Sequence, residues 1–317
     1  MDLYKYTYDL VKQIPNGKVS TYGAVAKALG DIRASRAVGR MMNQNPDPDT
    51  MPCFKIVYGD GSLGGFGLGL PDKIRRLKED FIHVKNGKIV DFEQVFFDNF
   101  ESSYPLKSCR EKQLELKKQI ILKNEIDESK IQTIAGFDVA YPKNDFDKAC
   151  VSCVIVDYHS NEVIESKTIF SQTLFPYIPT YLTFRETPLI KKIFSKLEND
   201  PSVLMFDGNG ILHPYQFGLA CHAGLLLNKP SIGIAKSLLC GKEQKNKRIM
   251  FENKILGKAF YAHQRVKKPV YISPGHMISL TTSEKLVSKL SEYKHPTPLR
   301  QAHILATNTI KKKKNLC

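Results

Sequence analysis

Apolar residues recur at helical spacing through the first part of the chain. They predict helices at residues 3–14, 22–29, 33–43 and 73–82, and an extended tail follows at residues 88–97. Ser20 and Thr21 are suitable N-caps for the second helix, and Gly30 can end it. The second and third helices are joined by a tight turn, which indicates a helix-turn-helix, although many helical bundles contain such a pair.

The hydrophobic period changes in the second part of the chain. A charged helix is predicted at residues 110–122, and runs rich in β-forming residues then predict strands at 133–140, 149–157 and 163–170. Helical stretches and two short apolar strands follow, at residues 203–206 and 231–235. Strands that come first and later alternate with helices indicate a mixed α/β sheet covered by helices.

Polar residues and a proline mark residues 99–107 as a linker between these parts. A chain of 317 residues with 42% hydrophobic residues is long and apolar enough for two cores. We therefore predict a small, mainly α domain at residues 1–98 and an α/β domain at residues 108–317.

The formal net charge of +15 at pH 7 is unevenly placed. Residues 1–100 hold 14 Lys and Arg against 12 Asp and Glu, whereas residues 101–317 hold 33 against 20. An excess of positive charge suits a polyanionic partner, and nucleic acid is the commonest one. A generic solubilising surface is the alternative, and charge alone does not decide between them.

Several classes of protein fit poorly. The first residues lack the apolar run of a signal peptide, and no stretch approaches the roughly 18 apolar residues of a membrane helix. The seven cysteines are scattered, so we expect a cytoplasmic protein without a disulfide framework and without a membrane partner. Cys150 and Cys153 lie in a strand-like run, where positions i and i+3 face opposite ways, so buried cysteines fit better than zinc ligands.

Acidic residues end two of the predicted strands. Asp138 comes late in the first strand, and Asp207 directly follows the apolar run at 203–206. A single aspartate in such a place is usually a cap or a turn former. Two of them, together with Glu186, can instead converge on one edge of a sheet and offer the hard oxygen ligands that Mg²⁺ prefers. Such a cluster activates water and stabilises the leaving oxygen of a phosphodiester.

Residues from about 110 to 308 resemble endonuclease V, a family of RNase H-like repair nucleases. Seven motifs carry the resemblance in the same order, at residues 136–141, 176–179, 184–186, 207–214, 233–236, 273–276 and 300–303. The resemblance implies an RNase H-like α/β domain that cleaves DNA at the second phosphodiester on the 3′ side of deoxyinosine. It implies Mg²⁺ as the cofactor, with Mn²⁺ as an alternative.

The same resemblance implies roles for individual residues. Asp138, Glu186 and Asp207 would form the metal site, with Glu186 also a catalytic carboxylate. His276 would act near the scissile phosphate, Lys236 would neutralise phosphate charge, and His213 would fix the lesion end of the site.

The stretch at residues 176–179 matches the family's wedge, in which Tyr177 replaces the stacking lost when a base leaves the helix. A surface turn that packs on its own domain is the alternative. Asn209 stands where the family usually has a second histidine, so we expect altered base preference and retained activity.

Cys53 lies between the helix pair and a glycine-rich stretch at residues 59–69. A lone intracellular cysteine is usually a small buried apolar residue, and reactivity would require a lowered thiol pKa. Residues 4–82 resemble the winged-helix-like C-terminal domain of O6-alkylguanine-DNA alkyltransferases. The matching stretches lie in order at residues 14–22, 35–39, 45–46, 51–53 and 61–66.

This second resemblance implies that Cys53 accepts the alkyl group of alkylated guanine. Arg36 would fill the gap left by the flipped base, Tyr22 would rotate the phosphate, and Asn45 would be the hinge before the active-site loop. The chain departs from the family at Phe54, where the family has a histidine that relays the thiol proton toward an acid, here Asp80.

Phe54 cannot carry a proton, which leaves three expectations open. Transfer is slow, another group such as Lys55 lowers the pKa of the Cys53 thiol, or the domain only binds lesions. The leading expectation is a monomeric, bifunctional DNA-repair enzyme that acts on alkylated guanine and on deoxyinosine. The rivals are a non-enzymatic lesion sensor tethered to an active nuclease, and a nuclease that cuts inosine-containing RNA, which a 2′-hydroxyl would mark.

Overall fold

The computed structural model describes residues 1–142, 148–262 and 267–314, and its contacts divide the chain into two compact units. The first unit comprises Met1–Glu111 and Leu174–Pro179, and the second comprises Lys112–Thr173 and the chain from Thr180 onward. In the described part of the chain, no helix combines the length and the apolar character needed to cross a membrane.

The first unit is built mainly from helices. Its elements are α1 (Leu3–Val11), β1 (Ser20–Thr21), α2 (Tyr22–Leu29), α3 (Ser35–Asn43), β2 (Ile56–Val57), α4 (Leu70–Glu79), β3 (Val84–Lys85), β4 (Lys88–Ile89), α5 (Phe92–Val95) and the first part of α6 (Pro105–Lys117). The predicted helix pair is confirmed. The tail predicted as extended instead contains the short helix α5, and α6 begins within the predicted linker.

Local capping explains the bounds of α2. The Thr21 hydroxyl oxygen accepts a hydrogen bond from the Ala24 amide at 3.0 Å and so satisfies one of the free N–H groups of the first turn. Gly30 ends the helix at φ 104°, a left-handed conformation that favours glycine. Beside this helix, β1 pairs in parallel with β2, which holds the segment after Cys53 against the start of α2.

The second unit is a nine-stranded mixed sheet covered by helices. It comprises β5 (Thr133–Ala140), β6 (Lys148–Asp157), β7 (Val163–Gln172), α7 (Leu182–Phe194), β8 (Val203–Phe206), α8 (Leu219–Leu227), β9 (Ser231–Ala235), β10 (Lys242–Glu243), β11 (Arg248–Phe251), β12 (Lys254–Phe260), β13 (Val270–His276), α9 (Leu280–Lys289) and α10 (Thr297–Lys314). The strand order is β10-β11-β12-β13-β9-β8-β5-β6-β7. Strands β5, β8 and β9 pair in parallel, and the remaining pairs are antiparallel.

Each face of this sheet carries its own apolar core. Helices α7 and α8 cover one face, where Ala135 and Phe137 of β5 are buried. Helices α9 and α10 cover the other face, where Ile134 is buried. Because side chains alternate along a strand, Gly136 and Asp138 point to the same face as Ile134, toward α10. Cys150 and Cys153 are close in sequence but do not form a pair. Their side chains point to opposite faces of the sheet, and both are buried.

The approach of α10 to β5 depends on Gly136. A Cβ atom at this position would lie 2.3 Å from the carbonyl carbon of Pro298 and 2.5 Å from the Leu299 nitrogen. Both are backbone atoms, so they cannot move aside as a flexible side chain would. The absence of a side chain at Gly136 therefore sets how closely α10 packs on the sheet.

We expect Gly136→Ala to lower the free energy of unfolding of the second unit by about 3 kcal/mol, the upper end of the usual cost of overpacking. Chemical denaturation followed by circular dichroism measures this change. Gly59→Ala is the control, because a Cβ there meets nothing within 4 Å. Equal stability of the two variants would contradict this account of the α10 contact.

Candidate functional site

Three parallel strands bring their carboxyl ends to one edge of the large sheet. Asp138 lies near the end of β5, Asp207 directly follows β8, and Lys236 directly follows β9. The Asp207 amide donates to the Phe137 carbonyl oxygen at 3.4 Å, which places the two aspartates side by side along the edge. The convergence predicted from the strand ends is thus present in the fold.

Asp138 is buried, with 5% of its surface exposed. Burial raises the pKa of this carboxyl group, and the neighbouring charge of Asp207 raises it further. Nδ1 of His303, on α10, lies 3.1 Å from the Asp138 Oδ2 atom and partly offsets both effects. His303 therefore belongs to the site, although sequence reasoning gave it no role.

Lys236 and Asp207 form an ion pair at the same edge. Burial lowers the pKa of Lys236, but Asp207, Asp138 and Glu186 together outweigh that effect and raise the pKa. The ammonium group thus responds to all three acids, and its side chain remains 49% exposed. This exposure leaves Lys236 accessible to a negatively charged ligand.

Glu186 reaches the edge from α7. Its Oε1 atom accepts a hydrogen bond from the Tyr141 hydroxyl at 3.0 Å, and the Arg185 guanidinium lies 4.1 Å from the centre of the Tyr141 ring. Burial raises the pKa of Glu186 to about 8 despite these contacts, and Asp138 and Asp207 add to the rise. The group is therefore mostly protonated near neutral pH.

The acids are suited to a divalent cation by their chemistry and their mutual repulsion. The charge of Asp207 raises the pKa values of Asp138 and Glu186, and a bound cation would offset that repulsion. Among residues 1–142, 148–262 and 267–314, no three His, Cys, Asp or Glu side chains are already gathered closely enough to hold a metal ion. Holding one would thus require Asp138, Glu186 and Asp207 to draw together, with Lys236 releasing Asp207.

His276 does not join this group. It ends β13, which runs antiparallel to β9, and it pairs with Ser231 at the start of that strand. Because Lys236 follows the other end of β9, His276 lies at the opposite edge of the sheet. It is buried, and its Nδ1 atom accepts a hydrogen bond from the Ile121 amide at 3.3 Å. The role expected near the scissile phosphate therefore has no geometric support, and His303 is the histidine beside the acids.

The loop between β8 and α8 holds His213 and Asn209. His213 is buried, and its Nδ1 atom accepts a hydrogen bond from the Tyr215 amide at 3.2 Å. In the described part of the chain, the buried side-chain oxygen of Asn209 has no hydrogen-bond partner. Gly233 lets this loop lie close to β9, because a Cβ atom there would be 2.2 Å from the Gly210 nitrogen.

Tyr177 lies between β7 and α7, in the stretch compared above with a wedge. Its side chain is 50% exposed, whereas Pro176 and Ile178 on either side are buried. The flanking residues thus anchor the turn while the ring stays accessible.

Cys53 begins a short 3-10 turn, Cys53–Lys55, in the first unit, and it is 4% exposed. The Asn45 side-chain amide donates to the Sγ atom at 3.0 Å and to the Met51 carbonyl oxygen at 2.7 Å. Burial raises the pKa of the Cys53 thiol, and Asn45, Lys73 and Arg76 oppose that rise. Asn45 therefore holds both the thiol and the loop that carries it.

The acid expected in a proton relay is already paired. The Lys55 Nζ atom lies 2.9 Å from the Asp80 Oδ2 atom and donates to the Pro15 carbonyl oxygen at 3.0 Å. Asp80 also accepts a hydrogen bond from the Gly17 amide at 3.2 Å. Phe54 packs against the apolar core of this unit. Lys55 thus neutralises Asp80. The side chains that act on the thiol are Asn45, Lys73 and Arg76.

Tyr22 begins α2 and lies close to the thiol. Burial raises the pKa of Tyr22 to about 12, and the nearby charges of Tyr58 and Cys53 contribute. A Cβ atom at Gly64 would be 2.1 Å from the Tyr22 hydroxyl oxygen, so glycine is needed there. Arg36, in the first turn of α3, is exposed.

Sequence reasoning missed Lys73, which is 0% exposed. A signal was present, because Lys73 lies four residues before the buried Leu77 and so occupies the apolar face of α4. A lysine on the apolar face of a helix has a buried amino group, which needs hydrogen-bond partners.

Comparisons with known proteins divide the chain in a similar way. Residues 114–304 match the family model described as Endonuclease V, and residues 2–82 match that of the 6-O-methylguanine DNA methyltransferase DNA-binding domain. A bifunctional methyltransferase/endonuclease of Picrophilus torridus is 42% identical over 96% of this chain and 95% of its own length. One from Thermoplasma volcanium is 38% identical over 96% of this chain and 89% of its own length.

Solved structures of endonuclease V are also similar. The catalytic domain of the human protein superposes with a TM-score of 0.63 at 28% identity, over 68% of this chain and 100% of its own. The Bacillus subtilis structure gives 0.61 at 31% identity, over 67% and 94%. A Ciona intestinalis endonuclease V, in complex with a 24mer DNA containing an inosine followed by a ribo-adenosine, gives 0.60 at 28% identity, over 65% and 98%.

We expect Asn45→Ala to slow alkylation of Cys53 by iodoacetamide about fivefold near pH 8. Removing the hydrogen bond to Sγ raises the thiol pKa and lowers the thiolate fraction. Peptide mass spectrometry resolves Cys53 from the other cysteines. Asn43→Ala is the control, because Asn43 is exposed at the end of α3. Unchanged reactivity in Asn45→Ala would show that the contact does not influence the thiol.

Proposed function

This chain belongs to the bifunctional methyltransferase/endonuclease family, and on that premise we propose that it repairs alkylated guanine and deoxyinosine in DNA at two separate sites. The observation that carries the nuclease part is the meeting of Asp138, Asp207 and Lys236 at the carboxyl edge of three parallel strands. The observation that carries the transferase part is the buried thiol of Cys53 bound by Asn45.

For the nuclease, we propose hydrolysis of the second phosphodiester on the 3′ side of deoxyinosine, with Mg²⁺ or Mn²⁺ held by Asp138, Glu186 and Asp207. A bound divalent ion would supply Lewis acidity and an activated water. Lys236 is half exposed, and once released from Asp207 its ammonium group can neutralise the phosphate. His303 orients the Asp138 carboxylate through Nδ1.

Three observations support inosine-containing DNA as the substrate. The structure of the Ciona relative was solved with an inosine-containing DNA, and that protein shares the fold of the second unit. The excess of Lys and Arg beyond residue 100 suits the phosphate backbone. Tyr177, exposed between anchored neighbours, is suited to stack against a base at the lesion.

For the transferase, we propose that the Cys53 sulfur attacks the alkyl carbon attached to O6 of guanine. A sulfur–carbon bond forms and the carbon–O6 bond breaks, so the guanine keeps the electron pair and takes up a proton in exchange for the one that the thiol loses. We propose that Tyr22, near the thiol, contacts the extruded nucleotide and that the exposed Arg36 enters the duplex.

We expect Asp207→Asn to lower nicking of an inosine-containing duplex by at least about 100-fold at limiting Mg²⁺, because the ion loses a hard anionic ligand. Gel analysis of end-labelled DNA, with a matched RNA strand alongside, measures the rate and the substrate preference. Asp200→Asn is the control, since Asp200 is 75% exposed and pairs only with Lys229 among the described contacts. Near-wild-type nicking by Asp207→Asn would overturn the metal assignment.

We expect the wild-type chain to gain one methyl group on Cys53 when incubated with O6-methylguanine DNA. Cys53→Ala should prevent the gain and leave inosine nicking unchanged, because the two reactions use separate residues. Intact-mass analysis with peptide mapping measures both the amount and the site, and Cys240→Ala is the control. An unchanged wild-type mass, with DNA binding intact, would favour the lesion-sensor alternative.

A further inference from the structure

Positive charge gathers at the end of β7, on the edge of the sheet that carries the acids. Strand β7 is antiparallel to β6, and β6 is antiparallel to β5, so β7 and β5 end at the same edge. In the register, Ala140 pairs with Cys150, and Cys150 pairs with Phe170. The end of β7 is therefore two strand spacings, or about 10 Å, from the end of β5.

Two helices bring lysines to this strand end from opposite faces of the sheet. On the face covered by α10, the Lys313 Nζ atom lies 4.1 Å from the centre of the Phe170 ring. On the face covered by α7, the Lys192 Nζ atom donates to the Ser171 hydroxyl oxygen at 3.2 Å. Phe170 and Ser171 are adjacent in the strand, so their side chains point to opposite faces. The two ammonium groups thus flank the end of β7.

The charge of these two lysines is not compensated by an acid. Lys192 and Lys313 are both exposed, and among the described residues neither forms an ion pair. Other exposed lysines of this unit do form one, such as Lys285 with Glu128 at 3.3 Å. A serine hydroxyl and an aromatic ring bind an ammonium group without cancelling its charge. Both lysines can therefore still attract an anion.

Cations consequently lie on both sides of the acids along this edge. In strand order, the edge carries Lys236 after β9, Asp207 after β8, Asp138 near the end of β5, and then Lys192 and Lys313 around the end of β7. A single phosphate group cannot reach from the acids to the end of β7, about 10 Å away. A nucleic-acid backbone can, because it repeats its charge along the strand.

We propose that Lys192 and Lys313 form a phosphate-binding surface that holds the DNA backbone on one side of the cleavage site. The inference rests on the proposed nuclease function, because the acids fix where the reacting phosphodiester lies. At a rise of about 3.4 Å per base pair, the distance of about 10 Å corresponds to roughly three base pairs. The two lysines contact phosphates at that distance from the cut, so they add affinity without adding sequence preference.

The test compares the double variant Lys192→Gln/Lys313→Gln with the double variant Lys285→Gln/Lys289→Gln. The control removes the same charge from α9, where the Lys289 Nζ atom lies 3.8 Å from the centre of the Tyr158 ring. Tyr158 follows the end of β6, at the opposite edge of the sheet from the acids. Thermal unfolding followed by circular dichroism reports the stability of each variant.

The first measurement is the salt dependence of nicking, with the full chain and an inosine-containing duplex below saturation. Each lost phosphate contact should reduce the slope of log kcat/KM against log salt by about 0.9. We therefore expect the slope of Lys192→Gln/Lys313→Gln to be smaller in magnitude by about 1.5 to 2, and the control to keep the wild-type slope. The fall in kcat/KM should arise through KM, because the acids are untouched.

The second measurement is the effect of flank length. The duplex is shortened on each side of the inosine separately, from about ten base pairs to about two, which is less than the expected reach of the lysines. In the wild type and the control, shortening one side should lower kcat/KM at least about threefold more than shortening the other. In Lys192→Gln/Lys313→Gln this difference between the sides should disappear, because the longer flank has lost its partners.

Equal salt slopes in the two double variants would overturn the phosphate-binding surface while the nuclease assignment stands. A difference between the sides that survives in Lys192→Gln/Lys313→Gln would do the same. If that variant is unstable, Lys313→Gln is compared with Lys289→Gln, and a slope change of about 0.9 is expected for the first alone. A wild-type chain that does not nick inosine-containing DNA would instead overturn the proposed nuclease function itself.

Discussion

The parallel pairing of β5, β8 and β9 is the constraint on which the nuclease site depends. Parallel strands end at the same edge, so residues far apart in sequence meet there without a dedicated scaffold. The same pairing crowds like charges, and burial prevents water from screening them. The pKa values of Asp138 and Glu186 are consequently raised, and Lys236, His303 and Tyr141 hold the acids of the site in place. This repulsion between the acids is tolerated only while the surrounding sheet holds them in place.

The two buried lysines discussed above, Lys55 and Lys73, accommodate the burial of an amino group in different ways. Lys55 is paired with Asp80, so its charge is compensated and its role is to join the Cys53 turn to the end of α4. Lys73 has carbonyl partners only among its described contacts, so burial lowers its pKa instead. Two buried residues of the same type thus differ in how their burial is compensated, because only Lys55 has an anion beside it.

Much of this architecture was predictable from the sequence. The helix pair at α2 and α3 follows from capping residues and period, and the meeting of Asp138 with Asp207 follows from their places at strand ends. The strands β10 to β13 were not predicted, because they are short or half-exposed and lack a clear alternation. The choice between His276 and His303 depends on the antiparallel direction of β13, which local patterns do not encode. The pairing of Lys55 with Asp80 likewise depends on tertiary contacts across the unit.

The contact between Gly136 and α10 has a consequence for how the protein is made. Helix α10 is synthesised after every strand of the sheet, and it carries His303 to Asp138. A nascent chain can therefore form β5, β8 and β9 and gather its acids before the last member of the site exists. On the ribosome, the nuclease centre stays incomplete until α10 has emerged and closed over Gly136. Catalytic competence would then mark the end of folding, later than the appearance of the sheet itself.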